Sequence, residues 1–201
     1  MKQVSKAINR VWLIAGLGNP GPKYDNTRHN IGFKVIEHLT DDLNAISAKN
    51  KMNARIFEAR FESQKILLIQ PLSFMNRSGS VLYEVARYFH IDISQIILIH
   101  DDVDIELGII KIKQKGGHGG HNGIRSVIDS FGDNTFTRIR IGVGRPLNSD
   151  NMVNHVLGRF QTDEQKQVQA IIQTASRSIK TILLKGISQA MNQFNNKQVF
   201  V

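Results

Sequence analysis

The fold of this chain is set by the stretch Val11-Trp12-Leu13-Ile14-Ala15-Gly16-Leu17-Gly18-Asn19-Pro20-Gly21. Its apolar part, Val11 to Leu17, is short and ends in turn-forming residues, which predicts a buried strand. The following segment is rich in glycine, proline, asparagine and aspartate, and apolar residues recur at helical spacing only from Ile31 onwards. The sequence therefore predicts a strand, a rigid loop and a helix, with His29 lying just before that helix.

The segment from Gly16 to Gly21 also matches G-x-G-x-x-G, the fingerprint of dinucleotide-binding folds. That fingerprint needs a helix that begins inside the motif, so that the helix N-terminus meets a pyrophosphate. Here prolines flank Gly21, and proline is tolerated only in the first turn of a helix. We therefore favour a loop that carries Asn19 and Tyr24, and a nicotinamide-dinucleotide enzyme remains as an alternative.

Further along the chain, strand-like and helix-like patterns alternate. Strands are predicted at 55–61, 65–70, 96–99, 110–113 and 136–143, and helices from Ile31, at 81–89, at 124–131, from a capping box of Thr162 and Gln165, and up to Phe194. This order indicates a single α/β domain with one central sheet flanked by helices on both faces. The hairpin-like pair of strands indicates that the sheet is mixed. We assign residues 11–201 to this domain and residues 1–10 to an N-terminal extension.

The composition narrows the classes of function. Of 201 residues, 41% are apolar and 21% charged, and the net charge is +9, which favours a polyanionic partner such as RNA, DNA or an anionic membrane surface. The chain has no cysteine, which excludes thiol catalysis, disulfides and cysteine-ligated zinc. No apolar run approaches the roughly 20 residues that a membrane-spanning helix needs.

Polar residues that could do chemistry follow the predicted strands or precede the predicted helices. The strand at 96–99 ends in His100-Asp101-Asp102, and His29 lies at a helix entrance. A histidine with a carboxylate is the pair required for general-base activation of water, because the carboxylate orients the imidazole and stabilises the imidazolium. The chain has no G-x-S-x-G nucleophile elbow, so water is the expected nucleophile.

Two metal sites are alternatives to this interpretation. Asp101, Asp102 and Asp104 could bind a hard cation, or form a solvated acidic turn. His118 and His121 could bind a transition metal, but the glycines around them make a poor preformed ligand frame. We therefore expect no metal, and we interpret the glycine segment as a place where the backbone approaches a bulky substrate closely.

Basic residues flank the glycine segment on predicted strands and loops. Lysines alternate with isoleucines at 110–113, which places the lysines on one face of a strand. Such a group of cations favours a phosphate-rich substrate. Its members are Lys111, Lys113, Lys115, Arg125, Arg138, Arg140 and Arg145.

Together, these segments resemble the bacterial-type peptidyl-tRNA hydrolase family from about Val11 to the C-terminal helix. The resemblance rests on the opening loop with Tyr24 and on ordered motifs at Thr27-Arg28-His29-Asn30-Ile31-Gly32, Pro71-Leu72-Ser73-Phe74-Met75-Asn76-Arg77-Ser78-Gly79, His100-Asp101-Asp102-Val103-Asp104, Gly117-His118-Gly119-Gly120-His121-Asn122-Gly123 and Arg138-Ile139-Arg140-Ile141-Gly142. It implies a single-domain α/β enzyme of the cytoplasm, a monomer without a cofactor or an obligate protein partner. The implied reaction releases tRNA from peptidyl-tRNAs dropped by ribosomes.

The resemblance also implies roles for particular residues. His29 resembles the catalytic base, Asp101 the carboxylate that supports it, and Asn19 the residue that separates blocked from free aminoacyl groups. Asn76 and Asn122 resemble the amides that hold the peptide backbone, the water and the tRNA end. The implied contacts to the tRNA end and to phosphates are Tyr24, Phe74, Lys111, Lys113, Arg125 and Arg140.

The chain departs from the family pattern in places. Asp104-Ile105-Glu106 stands where many relatives have a proline, and the gate-like segment at 153–160 contains His155. A non-catalytic RNA-binding domain that keeps the fold without the chemistry is another alternative to the enzyme, and the pair of His29 and Asp101 argues against it.

Overall fold

A seven-stranded sheet forms the centre of the protein, seen in a computed structural model that describes residues 10–146 and 152–199. The strands are β1 (Val11–Gly16), β2 (Ile46–Lys51), β3 (Ala54–Phe61), β4 (Gln64–Pro71), β5 (Ile96–Asp102), β6 (Ile110–Lys113) and β7 (Thr137–Gly142). They lie in the order β2-β3-β4-β1-β5-β7-β6. The neighbours β4, β1, β5 and β7 are parallel, and β2, β3 and β6 pair antiparallel with their neighbours. The predicted mixed sheet is confirmed.

Helices cover both faces of this sheet, as predicted. They are α1 (Ile31–Asp42), α2 (Ser78–Tyr88), α3 (Asn122–Phe131), α4 (Met152–Leu157), α5 (Gln165–Lys185) and α6 (Ile187–Phe194). Side chains of β1 alternate between the two layers: Ile14 packs with α1 and α5, whereas Leu13 and Ala15 pack with α2 and α3. Because both faces of β1 are buried from Leu13 onwards, the strand reads in sequence as a continuous apolar run. None of the helices in the described ranges is long and apolar enough to cross a membrane.

The sequence patterns missed strand β2 and the short helix α4, and they misplaced the start of α5. β2 is polar and lies at the sheet edge, with Ile46 75% exposed, so it lacks the apolar alternation that marks a strand. The capping box of Thr162 and Gln165 was wrong, because α5 begins only at Gln165, after a turn. A carboxylate oxygen of Glu164 accepts the backbone N–H of Gln161 at 2.6 Å and organises that turn instead. Of the proposed N-terminal extension, residues 1–9 lie outside the described ranges.

The parallel strands direct their carboxyl ends to one edge of the sheet. β1 and β5 are neighbours, so the loop after Gly16 and the end of β5 at Asp102 meet there. β7 lies on the other side of β5, with Asp101 paired to Ile141. Ligands of open α/β sheets bind at this edge.

Candidate active site

The loop between β1 and α1 is locked by two asparagines. The Asn19 backbone N–H donates to Asn30 Oδ1 at 2.8 Å, and Asn30 Nδ2 donates to the Asn19 carbonyl at 2.9 Å. A single 3-10 turn, Arg28–Asn30, then leads into α1 at Ile31. These contacts fix the position of His29, which is the central residue of that turn.

The glycines of the opening stretch serve helix packing. A Cβ on Gly16 would lie 2.1 Å from the carbonyl oxygen of Gly32 in α1, and a Cβ on Gly32 would lie 2.5 Å from the Ile99 oxygen. α1 can therefore approach the sheet only because both positions lack a side chain. Since the helix begins at Ile31 and not within the glycine motif, the structure does not support the dinucleotide-binding alternative.

His29 and Asp101 form a buried pair. The His29 Nδ1 lies 2.8 Å from Asp101 Oδ1, and the two side chains are 13% and 2% exposed. The Nδ1–H group therefore donates a hydrogen bond to the carboxylate, and the Nε2 lone pair is left free to accept a proton at the cleft. Burial by itself lowers the pKa of His29, but the charge and hydrogen bond of Asp101 outweigh it, so this pKa lies above its ordinary value of 6.5. Burial works against the charge of Asp101, yet the two histidines nearby hold the pKa of this carboxyl well below its usual range.

Two further histidines lie behind this pair. His121 precedes α3, and its Nδ1 accepts the backbone N–H groups of Gly123 and Ile124 at 3.1 and 3.2 Å. Its Nε2 lies 3.0 Å from Asp101 Oδ1. His100 packs edge-to-face on His121, and complete burial together with the neighbouring His121 lowers the pKa of His100 well below its ordinary value. His121 is thus the N-cap of α3, a role that the surrounding glycines hide in the sequence.

The pair of His29 and Asp101 opens onto a cleft of about 550 Å³ at the carboxyl edge of the sheet. Three asparagines predicted as site residues line this cleft together with His29: Asn19, Asn76 and Asn122. The Asn19 Oδ1 accepts the backbone N–H of Met75 at 2.8 Å, which ties the opening loop to the turn that carries Asn76. No partner for the Asn19 amide nitrogen is present in the described ranges. This N–H₂ group is therefore available to a ligand.

The acidic cluster does not converge on a metal. Asp102 pairs with Arg140 Nε at 2.6 Å, and Asp104 pairs with Arg145 at the same distance, while Asp101 contacts the histidines. Each carboxylate thus has its own cationic or imidazole partner, which disfavours a shared hard-cation site. In the described ranges one group has metal-ligand spacing, His29 with Asp101 and His121, and its nitrogen–oxygen distances of 2.8 and 3.0 Å are those of hydrogen bonds.

The basic residues divide into exposed and engaged groups. Lys111 and Lys113 lie on edge strand β6, where Lys111 is directly opposite Arg140 of β7, and Lys113 is exposed, as is Arg125 on α3. Arg138 is only 3% exposed, and its guanidinium donates to the carbonyls of Gly116, Gly117 and Asn134. Its inclusion among the phosphate-facing cations was therefore wrong, because this charge holds the glycine segment in place.

Aromatic residues lie at the rim of the cleft. Tyr24 and Phe74 meet edge-to-face with ring centroids 6.4 Å apart, and Phe74 is 57% exposed. Such an exposed aromatic platform can stack on the bases of a single-stranded nucleic acid. Phe74 lines the cleft, and Tyr24 packs against it on the same rim.

One side of the cleft is formed by α4, which belongs to the gate-like segment. Its apolar residues Met152, Val153, Val156 and Leu157 face the site. His155 turns away, with Nε2 2.9 Å from the carbonyl oxygen of Gly144.

A buried arginine that sequence reasoning missed joins this segment to His29. Arg28 donates to the Arg159 carbonyl at 2.6 Å and to Glu164 at 2.8 Å. No local sequence signal identifies these contacts, because the partners lie more than a hundred residues further along the chain.

A mixed α/β sheet with a buried histidine–aspartate pair beside an open, amide-lined cleft is an arrangement typical of a hydrolase, since such a pair can activate water. Comparison with known proteins identifies the family. The family model described as "Peptidyl-tRNA hydrolase" matches residues 13–200. The chain belongs to the peptidyl-tRNA hydrolase family.

Individual relatives agree over nearly the whole chain. A peptidyl-tRNA hydrolase of Clostridium botulinum (strain Alaska E43 / Type E3) is 42% identical over 185 residues, which cover 92% of this chain and 96% of the relative. A peptidyl-tRNA hydrolase of Caldanaerobacter subterraneus subsp. tengcongensis is 40% identical over 185 residues, which cover 92% of this chain and 100% of the relative. The crystal structure of the Acinetobacter baumannii peptidyl-tRNA hydrolase superposes with a TM-score of 0.88 at 36% identity, covering 96% of this chain and 98% of that one.

Proposed function

We propose that this protein hydrolyses the ester bond between a peptide, or an N-blocked aminoacyl group, and tRNA, and so frees tRNA from peptidyl-tRNAs dropped by ribosomes. The observation that carries the proposal is the contact of 2.8 Å between His29 and Asp101 at the wall of the cleft. Membership of the peptidyl-tRNA hydrolase family supports the substrate. As in the family, the enzyme works in the cytoplasm as a monomer, without a cofactor or an obligate protein partner.

In the proposed reaction, His29 acts as the general base. Its Nε2 takes a proton from a water molecule while the water oxygen attacks the ester carbonyl carbon, and the carbonyl electrons move to oxygen. Asp101 stabilises the imidazolium that forms. When the tetrahedral intermediate collapses, the bond to the ribose oxygen breaks, and the proton on His29 passes to that oxygen. The products are a free peptide carboxylic acid and a tRNA with its hydroxyl restored.

The amides in the cleft hold the acyl half of the substrate. Asn76 and Asn122 bind the peptide backbone, the attacking water and the tRNA end, and amides at such positions stabilise a developing oxyanion. Asn19 distinguishes blocked from free aminoacyl groups. Its Oδ1 is engaged by Met75, so the free N–H₂ group is the part that meets the substrate.

The tRNA half lies along the basic side of the site. Lys111, Lys113, Arg125 and Arg140 bind phosphates, and Tyr24 with Phe74 contacts the tRNA end. Arg140 is held by Asp102, which fixes its guanidinium and leaves its remaining N–H groups to donate. A binding protein without catalysis would not need the buried pair of His29 and Asp101, and this favours the enzyme.

The proposal is tested by release of free tRNA from a purified N-blocked aminoacyl-tRNA. His29→Ala is expected to reduce turnover by about 10²–10⁴-fold, the usual worth of a positioned general base, and to leave tRNA binding in a gel-shift assay nearly unchanged. His38→Ala, on α1 outside the cleft, is the matched control and should behave like the wild type. If the wild-type protein retards the aminoacyl-tRNA in a gel-shift assay but releases no free tRNA, the protein is a binding domain. If His29→Ala is fully active, another residue is the base.

A further inference from the structure

Asp101 is held from two sides. Its Oδ1 contacts His29 Nδ1 at 2.8 Å and His121 Nε2 at 3.0 Å. The side chain of His121 is 8% exposed and that of Asp101 is 2% exposed, so neither contact is exchanged freely for water. One buried carboxylate oxygen therefore accepts hydrogen bonds from two imidazole rings. The proposed reaction uses only one of them.

The second ring nitrogen of His121 determines where its proton lies. The Nδ1 accepts backbone N–H groups from Gly123 at 3.1 Å and from Ile124 at 3.2 Å, as the N-cap of α3. An acceptor must present a lone pair, so the ring carries its proton on Nε2, which points at Asp101. A proton on Nδ1 would face two N–H groups and the positive end of the helix dipole.

We infer that His121 is a positioning residue, which fixes the Asp101 carboxylate against the base His29 by linking it to the N-terminus of helix α3. The inference rests on the proposed function of His29 and Asp101. Because the Nε2–H group donates without adding a charge, it orients the carboxylate and does not compete with the imidazolium of His29. Both nitrogens of His121 are engaged, so it has no lone pair with which to act as the base itself.

The other groups around Asp101 do not alter this picture. His100 lies against His121 and is neutral, because burial lowers its pKa. The charged groups on the neighbouring strand ends are already paired with each other, as Asp102–Arg140 and Asp104–Arg145. When the hydrogen bond from His121 is removed, the Asp101 carboxylate loses one donor. Its charge then stabilises the imidazolium form of His29 more strongly. The acid limb of the rate profile then moves to higher pH.

Two substitutions separate the roles of the two nitrogens. In His121→Asn the side-chain oxygen can still cap α3, but the amide is too short to reach Asp101. We expect kcat to fall about tenfold, the worth of a hydrogen bond to a charged group, with KM and thermal stability nearly unchanged. In His121→Gln the amide nitrogen matches the position of Nε2 but the cap is lost. We expect a melting temperature lower by roughly 2–4 °C and a kcat clearly above that of His121→Asn.

The matched control is His90→Asn, at an exposed position with φ +53°, a conformation that asparagine tolerates. It should keep wild-type turnover. If His121→Asn keeps the wild-type kcat and pH profile, or His121→Gln is no better than His121→Asn, then His121 only caps the helix and the inference is overturned.

A second measurement does not depend on activity. NMR of the ring nitrogens should show that Nδ1 of His121 stays unprotonated over the pH range in which His29 becomes protonated. A protonated Nδ1 of His121 would also overturn the inference. A wild-type protein that fails to release tRNA would refute the proposed function, and the NMR result would still decide the inference.

Discussion

Replacing Asp101 by asparagine removes the charge beside His29 and keeps the shape of the side chain. In the wild type, burial lowers the pKa of His29 and the Asp101 charge and hydrogen bond raise it by more, so that it lies above 6.5. In Asp101→Asn, His29 is still buried, but the carboxylate charge that offsets the effect of burial on its pKa is gone. The pKa of His29 should then fall below its ordinary value. The base must be neutral to act, so the acid limb of kcat/KM should move from above pH 6.5 to below it.

The contact distance sets the size of this shift. Unit charges about 4 Å apart interact by about 4 kcal/mol at an effective dielectric constant near 20. An opposite charge at such a distance commonly shifts a pKa by about one to three units. Turnover at high pH should fall by less than the roughly 10²–10⁴-fold loss expected for His29→Ala, since the imidazole is still present. The double variant should be little worse than His29→Ala alone, because residues that act as one unit are not additive.

The assay is the initial rate of tRNA release from an N-blocked aminoacyl-tRNA across the acidic and neutral pH range. Circular dichroism at each pH separates loss of base function from unfolding. A limb that stays in place in Asp101→Asn, or that moves to higher pH, would contradict the assigned electrostatics. Equal losses for Asp101→Asn and the double variant, with no loss for His29→Ala, would show that the carboxylate acts without the histidine.

Two further predictions concern the substrate. Lys113→Ala on the exposed edge strand should raise KM more than it lowers kcat, and should flatten the salt dependence of tRNA binding by about one phosphate contact. The control Lys185→Ala should leave this salt dependence unchanged. If Lys113→Ala also leaves it unchanged, Lys113 does not contact the tRNA. Asn19→Asp keeps the oxygen that accepts from Met75 and replaces the free N–H₂ group by a charged oxygen. It should narrow the difference in kcat/KM between blocked and free aminoacyl-tRNA, since a carboxylate favours a free ammonium, whereas equal loss of both activities would mean that Asn19 only shapes the loop.

The sequence by itself determined the elements that depend on neighbours along the chain. Apolar runs marked β1 and β5, and helical spacing marked the start of α1 at Ile31. The helix predicted at 124–131 does end at Phe131, before Gly132 with φ +65°. The prolines and the late helix were enough to disfavour a dinucleotide site. These features are local, because periodicity and turn chemistry act within a few residues.

Only the tertiary structure decided which side chains meet. The pairing of His29 with Asp101 joins residues 72 positions apart, and it follows from β1 lying beside β5 in the sheet. The contact of His121 with Asp101 and the burial of Arg138 depend equally on where the glycine segment folds back. The same residue types in sequence are compatible with a metal site or a solvated surface. The strand order and the close approach of α1 at Gly16 determine which partners each buried charge meets, because a buried charge without a partner is too costly to remain.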